Sequence, residues 1–284
     1  MTLKKDLKTP IDLNWCPGCG NFGIYKAFND AAVAEGWDNT NTVLTAGIGC
    51  HGHMVNFVKL TSFEGLHGRA IPLAAGIKMA NHRLNVFVFT GDGDCLAEGG
   101  NHFVNAARRN QDITVILHDN AIYGLTTGQT SPSTPKEQKT KSTPEGNHDE
   151  PIHPLRLALA AGATFLGRVY AGNASDVKDM IIEANKHKGF SVVQILQPCV
   201  TFNKVYTHPY FRENIYKLPD NYDSTNKEVA FAKTFEWGPK KIPVGIFYNV
   251  QEPTCEGQIK QIQKKPLIDI PVKRDIARLL MKYK

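Results

Sequence analysis

The chain has 284 residues, 42% hydrophobic and 21% charged, which is the balance of an ordinary soluble globular protein. At this length about three quarters of the unfolded surface can be buried, so a full core forms without covalent staples. The net charge of +6 is too thinly spread for a nucleic-acid binder, because the lysine pairs at 240–241 and 264–265 lie among Pro, Ile and Gln. A mildly basic face suits steering toward an acidic protein partner instead.

The opening stretch, "MTLKKDLKTPIDLNW" (1–15), lacks the apolar run of a signal peptide, and no segment is long enough to span a bilayer. The expectation is a cytoplasmic protein with no membrane association. Disulfides are rare there, so paired cysteines point to metal binding or redox chemistry. "WCPGCG" (15–20) sets Cys16 and Cys19 three positions apart in a Gly/Pro turn. A thioredoxin-type pair usually follows a strand and opens a helix, whereas "TPIDLNW" precedes this one. A structural zinc site would need two further ligands.

From residue 42 short apolar runs alternate with segments of helical period, and no internal repeat is visible. "TVLTAG" (42–47), "NVFVFTG" (85–91), "DITVILHDN" (112–120), "TFLGRVY" (164–170) and "FSVVQIL" (190–196) read as strands. Helices are predicted over 71–83, 96–110, 154–162 and 175–187. This alternation implies right-handed crossovers and an α/β fold, a parallel sheet with helices on both faces. Residues 126–153 form a long polar loop rich in Thr, Pro and Lys, the kind that serves as a lid or stays disordered. Beyond about residue 201 the periodicity dissolves, apart from a short amphipathic end, "VKRDIARLLMKY". The expected organisation is therefore a domain over 1–200 and an irregular C-terminal arm over 201–284 that lies against another subunit.

The densest chemistry lies in "TGDGDCLAEGGNHFVNAARRNQDITVILHDNAIYGLTTGQ" (90–129). Asp92 and Asn120 each sit just past a strand joined to the next by one helix, so both emerge at the carboxyl edge of a parallel sheet, where open α/β sheets bind ligands. Gly91 and Gly93 permit close backbone approach, and the following helix offers its N-terminus to a phosphate. Asp92, the Asn120 amide oxygen and the carbonyl near Ile122 suit Mg²⁺ on a diphosphate. Gly-Asp-Gly alone is also an ordinary tight turn; the strand–helix–strand–Asn context is what favours the site.

That stretch resembles the thiamine diphosphate-binding motif. With "WCPGCG", "GIGCHG" (47–52), "HGRAIPLAAGIKMAN" (67–81), "YGLTTGQ" (123–129) and "QPC" (197–199), the chain resembles the β subunit of two-subunit 2-oxoacid:ferredoxin oxidoreductases, particularly the 2-oxoglutarate branch, over roughly residues 10–205. The resemblance implies a pyrophosphate-type domain and a thiamine-dependent oxidative decarboxylation of a 2-oxoacid. Coenzyme A would be the co-substrate, giving acyl-CoA and CO₂, and electrons would pass through a 4Fe–4S cluster to ferredoxin. The matching cluster ligands are Cys16, Cys19, Cys50 and Cys199. By residue chemistry alone four thiolates suit zinc as well.

The same resemblance lays Ile48, Gly49, Cys50, His51, His67, Gly93, Asp94, Gly124 and Leu125 along the cofactor, and allows His53 a substrate carboxylate or a plain helix-surface position. His67 is the candidate diphosphate contact, and Arg69 is equally an ordinary surface ion-pair residue. Cys95 is expected to pack in the core, and Cys255 has no assigned role. In this family the glutamate that activates the cofactor lies on the α subunit, so no catalytic residue is assigned here and an α partner is expected. Three other readings stand beside this one. They are a pyruvate:ferredoxin oxidoreductase β subunit, a non-redox thiamine decarboxylase or synthase with a structural zinc, and a non-catalytic cluster-holding module.

Overall fold

The computed structural model describes residues 7–271 and 276–283. The first four residues of the amphipathic end lie outside the described residues. In chain order the principal elements are α1 (Asn21–Glu35), β1 (Thr42–Ala46), α2 (Met54–Phe57), β2 (Thr61–Glu64), α3 (Ala70–Ala80), β3 (Asn85–Gly91), α4 (Gly100–Arg108), β4 (Thr114–Asp119), α5 (Pro154–Ala161) and β5 (Phe165–Tyr170). There follow α6 (Ala174–Lys186), β6 (Ser191–Leu196), α7 (His208–Asn214), β7 (Ile215–Lys217), α8 (Lys227–Lys233), β8 (Ile242–Asn249) and α9 (Ala277–Leu280).

One eight-stranded sheet runs in the order β2-β1-β3-β4-β6-β5-β8-β7. Strands β1 to β6 are mutually parallel, and β8 runs antiparallel against β5. The central strands are apolar on both faces because both faces are covered. In β3, Phe87 and Phe89 pack with α1 and α6, while Val86 and Val88 pack with α3, α4 and α5. The expected helices on both faces are thus present.

Two further features extend the sequence reading. Helix α1 follows the "WCPGCG" turn and ends at Gly36, whose φ of 66° is the left-handed cap that glycine adopts without strain. The stretch whose periodicity is unassigned carries β7 and β8, and β8 lies beside β5 in the main sheet. No helix among the described residues is long and apolar enough to cross a membrane.

Candidate functional site

Strands β1, β3, β4 and β6 are consecutive in-register parallel neighbours across most of the sheet centre, so the turns after them open at one edge. Those turns carry 47–53, 91–94, 120–125 and 197–199. Asp92 and Asn120 meet there: the Asn120 backbone N–H and the hydroxyls of Ser131 and Ser133 all serve the buried Asp92 carboxylate. Ser133 Oγ lies 2.6 Å from Asp92 Oδ2 and 3.0 Å from Asp119 Oδ1. One hydroxyl proton therefore stands between two buried acids. Burial, then the neighbouring Asp119 charge, pushes the Asp92 carboxyl above the usual range, and burial raises Asp119 likewise. A buried acid pair of this kind favours a cation beside it.

Asp94 organises the neighbouring turns. Its Oδ1 accepts the backbone N–H of Ile48 (3.1 Å) and Gly68 (2.7 Å) and lies 2.9 Å from His67 Nδ1. Its Oδ2 accepts the Thr90 hydroxyl (2.6 Å) and lies 3.5 Å from His51 Nε2. Burial by itself would raise this carboxyl, but the His51, Thr90 and Gly68 contacts outweigh it and hold it at about 2. The packing tolerates no side chain at Gly47, where an added Cβ would stand 1.8 Å from Asp94 Oδ2. At Gly93 an added Cβ would stand 2.2 Å from the Tyr123 ring. Ala121 takes a φ of 54°, unusual for alanine, and is held there by Asp119 Oδ1 on its N–H and Thr134 on its carbonyl.

All nine residues predicted for the cofactor, and the three predicted for its metal, line a single cavity of about 70 Å³, joined by Gly91, Tyr123, Thr126 and Gln197. Beside it, a cavity of about 310 Å³ is lined by Cys16, Cys19, Cys50 and Cys199. Cys50, Asn120, Gly124, Leu125 and Gln197 border both cavities.

The "WCPGCG" turn reaches this position through three anchors. Trp15 Nε1 donates to the Cys50 carbonyl (2.7 Å), the Gly20 N–H to the Pro198 carbonyl (3.2 Å), and His208 Nε2 lies 2.8 Å from the Gly18 carbonyl. An added Cβ at Gly124 would lie 3.5 Å from Cys199 Sγ and 3.8 Å from Cys50 Sγ. Burial pushes the Cys19 thiol up to about 12, and the nearby Cys199, Cys50 and Cys16 thiols add to it. Burial and Cys199 push Cys50 up to about 11. Ligation to a metal centre would deprotonate such thiols outright. They surround the cavity instead of converging: among the described residues, no three His, Cys, Asp or Glu side chains gather tightly enough to share one ion.

His53 lines only the thiol-bordered cavity, stacked on Phe57 at 5.8 Å between ring centroids. Arg69 is exposed and contacts His102. Cys95 is buried in the core on the α3–α4 face. Cys255 lies away from both cavities, its N–H on the Asn110 carbonyl. The 126–153 segment is pinned by a network of hydroxyls around Thr130, Thr140 and Thr143, which brings Ser131 and Ser133 onto Asp92. These two serines, Asp119, Tyr123, Glu98 and Gln197 are site residues that the sequence reading does not single out. The Tyr123 hydroxyl donates to Glu98 (3.1 Å), which also lies 3.4 Å from His67. Of these residues Tyr123 and Gln197 carry a local signal, because they open the quoted "YGLTTGQ" and "QPC".

Comparison with known proteins agrees with this geometry. Residues 47–195 match the thiamine pyrophosphate enzyme C-terminal TPP-binding domain. Residues 199–264 match the model for the C-terminal part of the pyruvate ferredoxin oxidoreductase beta chain. The sequence is 43% identical to a 2-oxoacid:ferredoxin oxidoreductase subunit beta of Sulfolobus sp, over 95% of this chain and 93% of that one. It is 44% identical to the 2-oxoglutarate synthase subunit KorB of Archaeoglobus fulgidus, over 67% of this chain and 71% of the relative. Among solved structures, the 2-oxoglutarate:ferredoxin oxidoreductase from Magnetococcus marinus, with 2-oxoglutarate, coenzyme A and succinyl-CoA bound, matches with a TM-score of 0.92 and 35% identity, covering 100% of this chain and 96% of that chain. With two adjoining cavities at the carboxyl edge of its sheet, the chain belongs to the β subunits of the 2-oxoacid:ferredoxin oxidoreductases, as part of an oxidoreductase enzyme.

Proposed function

We propose that this chain is the β subunit of a 2-oxoglutarate:ferredoxin oxidoreductase, holding thiamine diphosphate with Mg²⁺ in the smaller cavity and a 4Fe–4S cluster in the larger. The observation that carries the reading is the wall of five residues common to the two cavities, which sets the acid-lined site directly against the four thiols. When bound, the coenzyme supplies the nucleophilic carbon and electron sink for loss of CO₂, Mg²⁺ anchors its diphosphate, and the cluster accepts single electrons.

The residues present fit these groups. Asp92, Asn120 and the Ile122 carbonyl would hold Mg²⁺, a hard ion that takes one or two side-chain oxygens. Asp94 locks the 47–51 and 67–68 turns at the spacing a cofactor needs, and His67 stands at the mouth as the diphosphate contact. Cys16, Cys19, Cys50 and Cys199, spread around about 310 Å³, suit a polynuclear cluster with one thiolate per iron better than a single zinc ion.

The smaller cavity, at about 70 Å³, falls well short of the roughly 300–1,000 Å³ of pockets that enclose a ligand. One wall is therefore supplied here and the rest by an α subunit, where the activating glutamate belongs. The exposed apolar side chains Phe235, Leu267, Ile268 and Met281 favour the 201–284 segment as part of that contact. Ferredoxin is the electron acceptor in this reading. The KorB relatives and the matched structure favour 2-oxoglutarate over pyruvate.

The test is anaerobic purification with the α partner, metal analysis, and viologen reduction with coenzyme A and either 2-oxoglutarate or pyruvate. About four irons per αβ pair and faster reduction with 2-oxoglutarate are expected. A colourless, zinc-containing preparation would overturn the redox reading, and preference for pyruvate would overturn the substrate.

A further inference from the structure

Gln197 follows β6 directly, is 1% exposed, and borders both cavities. Its backbone N–H continues the β4–β6 ladder by donating to the Asp119 carbonyl at 2.9 Å. Its side-chain Oε1 accepts from Asn120 Nδ2 at 2.9 Å. Its Nε2 donates to Cys19 Sγ at 3.2 Å and to the Pro198 carbonyl at 3.2 Å. With partners at both ends, the orientation of this amide is over-determined, and so is that of Asn120. The Asn120 nitrogen is held by Gln197, which leaves its Oδ1 to accept the Ile122 N–H at 3.1 Å, on a residue that lines the smaller cavity.

We propose that Gln197 is a positioning residue coupling the two centres: its N–H on Cys19 raises the reduction potential of the cluster, while its carbonyl holds Asn120 in the metal-binding orientation. This rests on the assignment of the cavities above. One-electron reduction adds a negative charge to a sulfur-ligated cluster without making or breaking a bond. A donor aimed at a ligating sulfur stabilises that added charge, and hydrogen bonds to the sulfurs are among the determinants of cluster potential. The second half is the ordinary effect of an outer partner on a metal ligand, whose loss costs about 10–100-fold in metal affinity.

The two halves separate experimentally in the anaerobic αβ complex. Iron content and Mg²⁺ binding of the wild type with thiamine diphosphate are measured first; a wild type without about four irons sinks the cavity assignment itself. Gln197→Glu keeps an acceptor for Asn120 but removes the donor on Cys19. Its dithionite titration, followed by the EPR signal of the reduced cluster, should give a more negative midpoint than wild type. Its Mg²⁺ affinity should change by less than about threefold. Gln197→Leu removes both contacts, and should show the lower midpoint together with Mg²⁺ binding about 10–100-fold weaker. A merely structural residue would lower iron content without moving the midpoint of the clusters retained. If both variants keep full iron and titrate at the wild-type midpoint, the coupling is wrong; if Gln197→Leu binds Mg²⁺ like wild type, the Asn120 half is wrong.

Discussion

Arg168→Met probes the buried polar chain beneath Asp92. Arg168 lies in β5, 1% exposed, with Nε donating to Gln194 Oε1 at 2.8 Å and a second guanidinium nitrogen to the Pro243 carbonyl at 3.3 Å. Gln194 Nε2 passes the contact to Asp119 Oδ2 at 2.6 Å, and Asp119 shares Ser133 with Asp92. Burial lowers the Arg168 pKa to about 10, opposed by the Asp119 charge, so the guanidinium remains charged at neutral pH. Methionine fills much of the same space but leaves Asp119 without its countercharge. The buried Gln194 Oε1 and Pro243 carbonyl also lose their charged donor, at about 1–3 kcal/mol each. Losing the guanidinium from the Trp237 and Phe247 rings, at 5.2 and 4.9 Å, adds about 1 kcal/mol, partly offset by the apolar replacement. A net loss of about 4 kcal/mol is expected. Adding Asp119→Asn should restore about 2 kcal/mol, since residues in one hydrogen-bond network couple by about 0.5–3 kcal/mol. Urea unfolding read by far-UV circular dichroism and tryptophan fluorescence measures both. A loss below about 1 kcal/mol, or strictly additive effects in the double variant, would refute the reasoning.

Two other outcomes follow from single contacts. Gly93→Ala forces a Cβ against the Tyr123 ring and so displaces a wall of the smaller cavity. Thiamine diphosphate binding to the αβ complex, read by fluorescence titration, should weaken at least about tenfold, in line with losses from disturbing a site's supporting shell. Glu256 is buried with Oε2 accepting the Asp112 N–H at 3.2 Å, while Oε1 has no hydrogen-bond partner among the described residues. Burial raises its carboxyl above the ordinary value of 4.5, so its ionisation penalises the fold increasingly as pH rises through and beyond that value. Glu256→Gln should therefore be more stable than wild type by about 1 kcal/mol near neutral pH, and the gain should shrink toward zero in mild acid, below the ordinary glutamate value. Thermal melts at the two pH values check this, and a gain independent of pH would contradict it.

Much of this architecture is present in local sequence. The β3 run over 85–91 matches its observed bounds, because a strand buried on both faces must be apolar throughout. The meeting of Asp92 with Asn120 is equally legible: two strands joined by one helix run parallel, so residues just past their ends share an edge. Helix α1 carries its own signal in Ile24, Ala27, Phe28, Ala31 and Ala32, all fully buried at helical spacing, although the Gly/Pro turn beside it masks where the helix begins. Strand β2 gives no such signal, being a short, mostly exposed edge strand.

What local pattern cannot encode is which strand lies beside which. Periodicity reports how each segment divides its faces between core and water, and that division is the same whatever the neighbour. Only the folded sheet inserts β6 between β4 and β5, bringing Gln197 and Cys199 against Asn120 and the N-terminal thiols, and only it adds β8 beside β5. The serines that close on Asp92 from the 126–153 segment likewise reach it through side-chain contacts between residues far apart in sequence. Layers, edge and ligand types are thus written in the residues themselves, because they follow from short-range chemistry. The adjacency of the two cavities comes from long-range strand pairing, which no single segment specifies.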